Sequence, residues 1–278
     1  MEDNAIWMFP TGRGITAENR RRLTRLIRAV TGPFTVEEGA RILEINATRA
    51  RRFLAYLAER GWLARVRPGL YVAVPLDARD PGEWREDPWV VAAEVFAPCY
   101  IGGWSACEHW GLTDQLFRDL VVLSGRWRRN RRPTIQGTTY RVKVISPELL
   151  FGTRIVWRGR VEVEVSDPAR TIVDLLDDPA LGGGIRHVAD VLREWFTGEL
   201  RDDRRLLDYA ERLGNRSVYK RLGFLMEELA VHAPEMLEVC ERRMSSGVVR
   251  LDPSGPTGGQ RVKRWKLIVN ASIRGQAE

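Results

Sequence analysis

The sequence predicts an α+β fold, with an N-terminal winged helix-turn-helix followed by a mixed α/β C-terminal domain. Three observations lead there. Residues 35–74 read as helix, tight turn, basic helix and hairpin. Between positions 13 and 67 stand 13 arginines and 5 glutamates, a local excess of +8 that exceeds the +7 of the whole chain. Beyond a polar break at 76–87, strand-like alternation gives way to a long run of helical patterns. The excess charge is thus confined to the first part, where it favours a polyanionic partner.

Taken in order, the chain opens with an arm, residues 1–15. It carries Ile6, Trp7, Met8 and Phe9 before Pro10. It is expected to dock on the protein, or alternatively to place Arg13 in a minor groove. Thr16 opens a helix to about Val30, apolar at Leu23, Leu26, Ile27 and Val30. Its other side holds Arg20, Arg21, Arg22, Arg25 and Arg28, a face suited to phosphates. Thr35 followed by Glu38 fits a capping box for the next helix. Ile45 and Asn46 interrupt, and a further helix spans about 47–60. Its apolar residues Ala50, Phe53, Leu54 and Leu57 recur at three- and four-residue spacing. That periodicity leaves Thr48, Arg49, Arg51, Arg52 and Tyr56 on the opposite face. Gly61 stops the helix, and 62–66 and 70–74 form a hairpin about Arg67-Pro68-Gly69.

A recognition helix must hold the core with one face and offer guanidiniums to base edges and phosphates with the other. The residues expected to contact DNA are therefore Asn46, Thr48, Arg49, Arg51 and Arg52, with Arg65 and Arg67 on the wing. The expected domain is 1–75 including the arm, with 76–87 as linker and 88–278 as the second domain.

In that second domain, helices are expected at 88–97 and up to about His109 or Trp110, and strands at 119–124 and 138–146. A short helix follows Ser146-Pro147-Glu148, then a hairpin from 155–157 and 161–165. Asp167 and Pro168 open a helix through Leu176. Four more helical stretches follow, at 185–196, 204–213, 218–230 and from Pro234 to about Arg242. Strands close the chain at 248–251 and 265–269, and the tail after Asn270 is expected to be loose.

Composition excludes several classes. With 278 residues, 44% hydrophobic and 29% charged, the chain is able to bury a core. Three cysteines (Cys99, Cys107, Cys240) are an odd number with no paired spacing and the three histidines (His109, His187, His232) lie far apart, so neither a disulfide framework nor a metal site is expected. No apolar run approaches a membrane span and no signal-peptide pattern is present, so a cytoplasmic location is expected. No catalytic residue, metal or cofactor is assigned.

Several further motifs carry chemistry. The run Arg126, Trp127, Arg128, Arg129, Asn130, Arg131, Arg132 sets five arginines around one tryptophan, a candidate second nucleic-acid surface. A solvated hairpin tip is the plainer alternative. Gly102-Gly103 lacks the lysine and spacing of a P-loop, so close packing around Trp104 is the better account. Glu162 and Glu164 share a strand face, as a metal-dependent nuclease would need, but the accompanying lysine is missing. Asp167 reads as a helix cap and Asp174 as a surface or ion-pair residue. Ser105 and His109 stand four apart without a carboxylate to orient the imidazole.

A resemblance spans nearly the whole chain. Residues 67–71 (RPGLY), 100–106 (YIGGWSA), 109–112 (HWGL), 167–176 (DPARTIVDLL), 219–225 (YKRLGFL), 250–253 (RLDP) and 265–270 (WKLIVN) are similar, in order and spacing, to the antitoxin component of AbiE-type (type IV) toxin–antitoxin systems. The resemblance implies a transcriptional repressor that binds an inverted repeat upstream of its own operon. It also implies that the C-terminal domain counteracts a nucleotidyltransferase-type toxin, in many cases without a stable complex. The Gly102-Gly103 pair, the basic run at 126–132 and the aromatic arm depart from the common pattern. Two other classes remain: a nucleic-acid-processing enzyme targeted by the winged helix, and a protein that holds its toxin stoichiometrically.

Overall fold

A computed structural model describes residues 15–273. The expectations for the N-terminal arm and Arg13 lie outside the described residues. The fold is mixed α+β. The chain divides into two compact units, one of the residues through Val91 with Arg158–Val161, the other of Ala92–Trp157 with Glu162 onward.

The first unit begins with α1 (Ala17–Ala29), whose N-cap Thr16 accepts from the Asn19 amide. Strand β1 (Phe34–Thr35) leads directly into α2 (Val36–Leu43). The expected capping box is present, with Thr35 and Glu38 each satisfying the other's backbone amide. Glu44 ends α2 in the left-handed conformation at φ 56°. Helix α3 (Ala47–Glu59) follows, then β2 (Leu63–Arg67) and β3 (Leu70–Ala73). Pro68 and Gly69 make the turn, and the φ of 80° at Gly69 is one that glycine adopts without strain. The sheet order is β1-β3-β2, all antiparallel. Two residues long, β1 is too short to show alternation in the sequence. Leu23, Leu26, Phe34, Ala40, Leu54 and Leu57 are among the residues of the shared core. At Gly39 an added Cβ would lie 3.1 Å from Leu54, so α2 rests closely on α3.

No regular element covers 75–87. Helix α4 (Pro88–Val95), β4 (Cys99–Ile101) and α5 (Gly103–His109) come next. Strands β5 (Leu120–Ser124), β6 (Thr134–Ile135), β7 (Thr138–Val144), β8 (Thr153–Arg158) and β9 (Val161–Ser166) complete a six-stranded sheet of order β6-β7-β5-β4-β9-β8. In it β5 pairs parallel with β7 and antiparallel with β4. Helices α6 (Pro168–Asp177), α7 (Ile185–Thr197), α8 (Asp203–Leu213), α9 (Ser217–Glu228) and α10 (Pro234–Arg243) follow. A small sheet of β10 (Val249–Arg250), β11 (Gln260–Val262) and β12 (Leu267–Val269) ends the described chain. Ile273 is buried in the core, so the segment just after Asn270 is packed, against the expectation of a loose tail.

Helix α6 is buried from Pro168 to Leu176 on every side. Its buried guanidinium, Arg170, is paired within the interior, with Nη1 alone left without a hydrogen-bond partner. Arg170 Nε donates to Asp174 at 3.0 Å, Arg170 Nη2 donates to the Tyr100 hydroxyl at 3.0 Å, and that hydroxyl donates to Asp174 at 2.9 Å. Asp174 is thus an ion-pair residue of the interior, with partners that its spacing from Asp167 did not disclose. Burial pushes its carboxyl up to about 6, while Arg170 and Tyr100 pull the other way. Helix α9 is equally enclosed, and Arg221 donates to the carbonyls of Leu251 and Leu176 at 2.9 and 2.7 Å. At Gly223 an added Cβ would stand 2.1 Å from the Trp265 ring.

Two stability effects are expected. Asp174→Ala leaves a buried guanidinium without its carboxylate and should destabilise the second unit by about 3–5 kcal/mol. Gly223→Ala drives a methyl into the Trp265 ring and should cost about 1–3 kcal/mol. Urea unfolding of the two variants beside the parent chain measures both, and unchanged midpoints would show that the interior relaxes around them.

Candidate nucleic-acid interface

The face of α3 turned from the core is fixed by helical period. Ala50, Phe53, Leu54 and Leu57 are buried, and these are the four residues that spacing assigns to the core. Thr48, Arg49, Arg51 and Arg52 are consequently exposed, within the first two turns of a helix about 20 Å long. Asn46 is exposed as well, but its side chain has local work. It is the N-cap of α3, and its Oδ1 accepts from the Arg49 amide at 2.9 Å. Ion pairs of this unit include Arg22–Glu18 and Arg25–Glu44. Among the described residues none involves an arginine of α3 or of the hairpin.

The hairpin adds Arg65 and Arg67, exposed on either side of buried Val66, where the strand register shifts. Arg65 lies over the Tyr71 ring, 5.6 Å from its centroid, so its guanidinium has a defined seat. A cleft of about 400 Å³ runs between α3 and the hairpin, with Arg51 and Ala55 on one wall and Arg65 and Pro68 on the other. A second depression, about 780 Å³, follows α1 along Arg20, Arg21, Arg25 and Arg28. Six of the seven residues expected to contact DNA therefore present exposed side chains on two neighbouring elements, Arg65 resting on Tyr71, and the seventh, Asn46, caps the helix that carries four of them.

The basic run of the second unit sorts into anchors and exposed groups. Arg128 turns inward: its Nη2 donates to the Val95 carbonyl and its guanidinium lies 4.9 Å from the Phe96 ring centroid. Arg132 pairs with Asp119 at 2.6 Å, and its amide donates to Asn130 Oδ1 at 2.9 Å. The Arg131 carbonyl accepts from the Val142 amide at 2.8 Å. Arg126, Trp127, Arg129 and Arg131 are left exposed, Trp127 to 72%. The inward turn of Arg128 has no sequence signal, because its partners stand more than thirty residues away.

The other motifs have structural roles. Gly103 has φ 55°, and an added Cβ there would meet the Leu181 carbonyl at 2.5 Å; at Gly102 it would meet Leu123 at 2.4 Å. Ser105 Oγ accepts from the Val121 amide at 3.0 Å, and His109 is half-buried beside Trp110. Asp167 caps α6 by accepting from the Arg170 amide at 2.8 Å. Glu162 and Glu164 are exposed, and Glu164 accepts from Thr153 at 2.9 Å. Cys107 and Cys240 are buried, Cys99 is half-buried, and all three are free thiols. Among the described residues no group of three or more His, Cys, Asp or Glu is gathered as a metal would need. No described helix is long and apolar enough to cross a membrane.

Among solved structures, the chain is similar to the crystal structure of the RV2827C protein from Mycobacterium tuberculosis. That likeness covers 92% of both chains with a TM-score of 0.63 and 18% identity. At this identity it establishes the fold. No family model and no curated protein matches the chain.

Asn46→Ala should destabilise the first unit by about 1 kcal/mol through loss of the α3 cap. Thermal unfolding with helix-sensitive circular dichroism measures it; an unaltered midpoint would release Asn46 from the capping role.

Proposed function

We propose that the first unit is a winged helix-turn-helix and that the protein is a sequence-specific, duplex-DNA-binding transcriptional repressor. The observation that carries this reading is the arrangement of exposed arginines. Arg49, Arg51 and Arg52 stand on one helix and Arg65 and Arg67 on the adjoining hairpin, on the side away from a well-packed core. A helix of this width fits the major groove, where arginine can bond guanine bidentately. In this reading α3 is the recognition helix, the hairpin is the wing, and the basic side of α1 follows phosphates.

The resemblance to AbiE-type antitoxins supports extending the reading to an operon. The protein would bind an inverted repeat in its own promoter and counteract a nucleotidyltransferase-type toxin, without enzymatic activity of its own, in the cytoplasm. No observation favours the nuclease alternative, since Glu162 and Glu164 lie exposed on a strand and Glu164 is engaged by Thr153.

The test is titration of the full chain with duplex from upstream of its gene and with random duplex, across a salt series. Alanine at a base-reading arginine of α3 should cost about 1–3 kcal/mol of discrimination. Alanine at a phosphate-contacting arginine, for which Arg67 is the candidate, should weaken both duplexes alike and lower the salt slope by about one. Equal affinity of the parent chain for both duplexes would overturn the repressor reading. Unchanged operator binding by the α3 variants would overturn the recognition-helix assignment.

A further inference from the structure

We propose that the loop at 126–132 is a stacking platform for single-stranded nucleic acid, with an unpaired base on the Trp127 indole and flanking phosphates on Arg126, Arg129 and Arg131. This site lies in the second unit and is independent of duplex binding by the first.

The loop is built rather than slack. It is held at its start by the Arg126 amide donating to Ser124 Oγ at 3.2 Å. Arg128 clamps its middle on Val95 and Phe96, and Arg132 and the Arg131 carbonyl fix its end to Asp119 and Val142. Tryptophan is highly buried on average in folded proteins. Here the indole is 72% exposed instead, and two arginines of the run are spent on holding the loop that displays it. The remaining three are exposed, and among the described residues they make no ion pair.

An exposed indole among unpaired guanidiniums matches a chain that alternates phosphates with flat aromatic faces. The indole provides a surface any base can cover, and each arginine can take a phosphate or stack in turn. Duplex DNA fits less well, because its base faces are already stacked on one another. An anionic membrane surface would be drawn to the same charge, but one indole is the loop's entire apolar contribution, short of what stable insertion needs.

The experiment uses the full chain and fluorescein-labelled oligouridylate and oligothymidylate of about 12 nucleotides, a length within the site sizes of stacking modules. Random duplex and vesicles containing phosphatidylserine serve as further probes. Trp127→Ala should weaken single-strand binding about tenfold or more, while Trp127→Phe keeps most of it. Exchanging Arg126, Arg129 and Arg131 together for alanine should lower the single-strand salt slope by about two. Duplex affinity should be unaffected by either tryptophan variant. The two oligonucleotides report whether RNA, DNA or both are taken. Absence of single-strand binding would overturn the proposal. So would unchanged binding by Trp127→Ala, an equal loss on duplex, or a tryptophan-dependent affinity seen only with vesicles. Because Trp127 is exposed, these variants should fold as the parent does, and the duplex arm reports separately on the repressor reading.

Discussion

A helix enclosed on all sides cannot carry charge unless the charge is answered on the spot, and α6 is such a helix. Arg170 is 1% exposed, and an unpaired guanidinium there would be prohibitively costly. Asp174, one turn later, answers it, and the Tyr100 hydroxyl closes the triangle from β4. The triangle ties α6 to the strand at the middle of the six-stranded sheet. From β4 the order runs outward through β5 to β7, and the basic loop leaves the sheet at the end of β5.

The first unit achieves exposure by a different route. Its arginines are exposed because the opposite face of each element is occupied. Four apolar residues claim one side of α3, Gly39 lets α2 approach, and Leu63 and Tyr71 hold the hairpin to the core. The charged residues are then set on rigid elements, where a long side chain can search for a phosphate or base edge without reorganising the backbone. Conversely, the basic loop has no regular element to stand on and spends Arg128 and Arg132 to obtain comparable rigidity.

Both surfaces are basic, yet they offer different geometry. A ridge of guanidiniums beside a hairpin suits the grooved, regular surface of a duplex. An indole with arginines on each side suits a strand whose bases are free. The likeness to the RV2827C protein reaches across both units at low identity, so the fold tolerates wide sequence change, and the exposed side chains are where function is written.

What the sequence determined by itself was whatever is local or periodic. The capping box at Thr35 and Glu38, the core face of α3, the stop at Gly61, the turn at Pro68-Gly69 and the cap at Asp167 all depend on residues within a few positions of one another. Their physics is complete at that range. The exposure of Thr48, Arg49, Arg51 and Arg52 follows from the helical period of α3, though Tyr56 on the same side is half-buried, and that of Arg65 and Arg67 from strand alternation about Val66. Only the tertiary structure decided what joins distant residues. The two-residue strand β1 exists because β3 is there to pair with it. Asp174 is interior because α6 is surrounded, and Arg128 is an anchor because Val95 and Phe96 lie beneath it. Asn46 stands between the two cases: its type and place mark a helix cap, and the hydrogen bond to Arg49 realises that local preference. Long-range pairing leaves no period in the chain, so no reading of spacing alone could have separated the arginines that hold the loop from those that face the solvent.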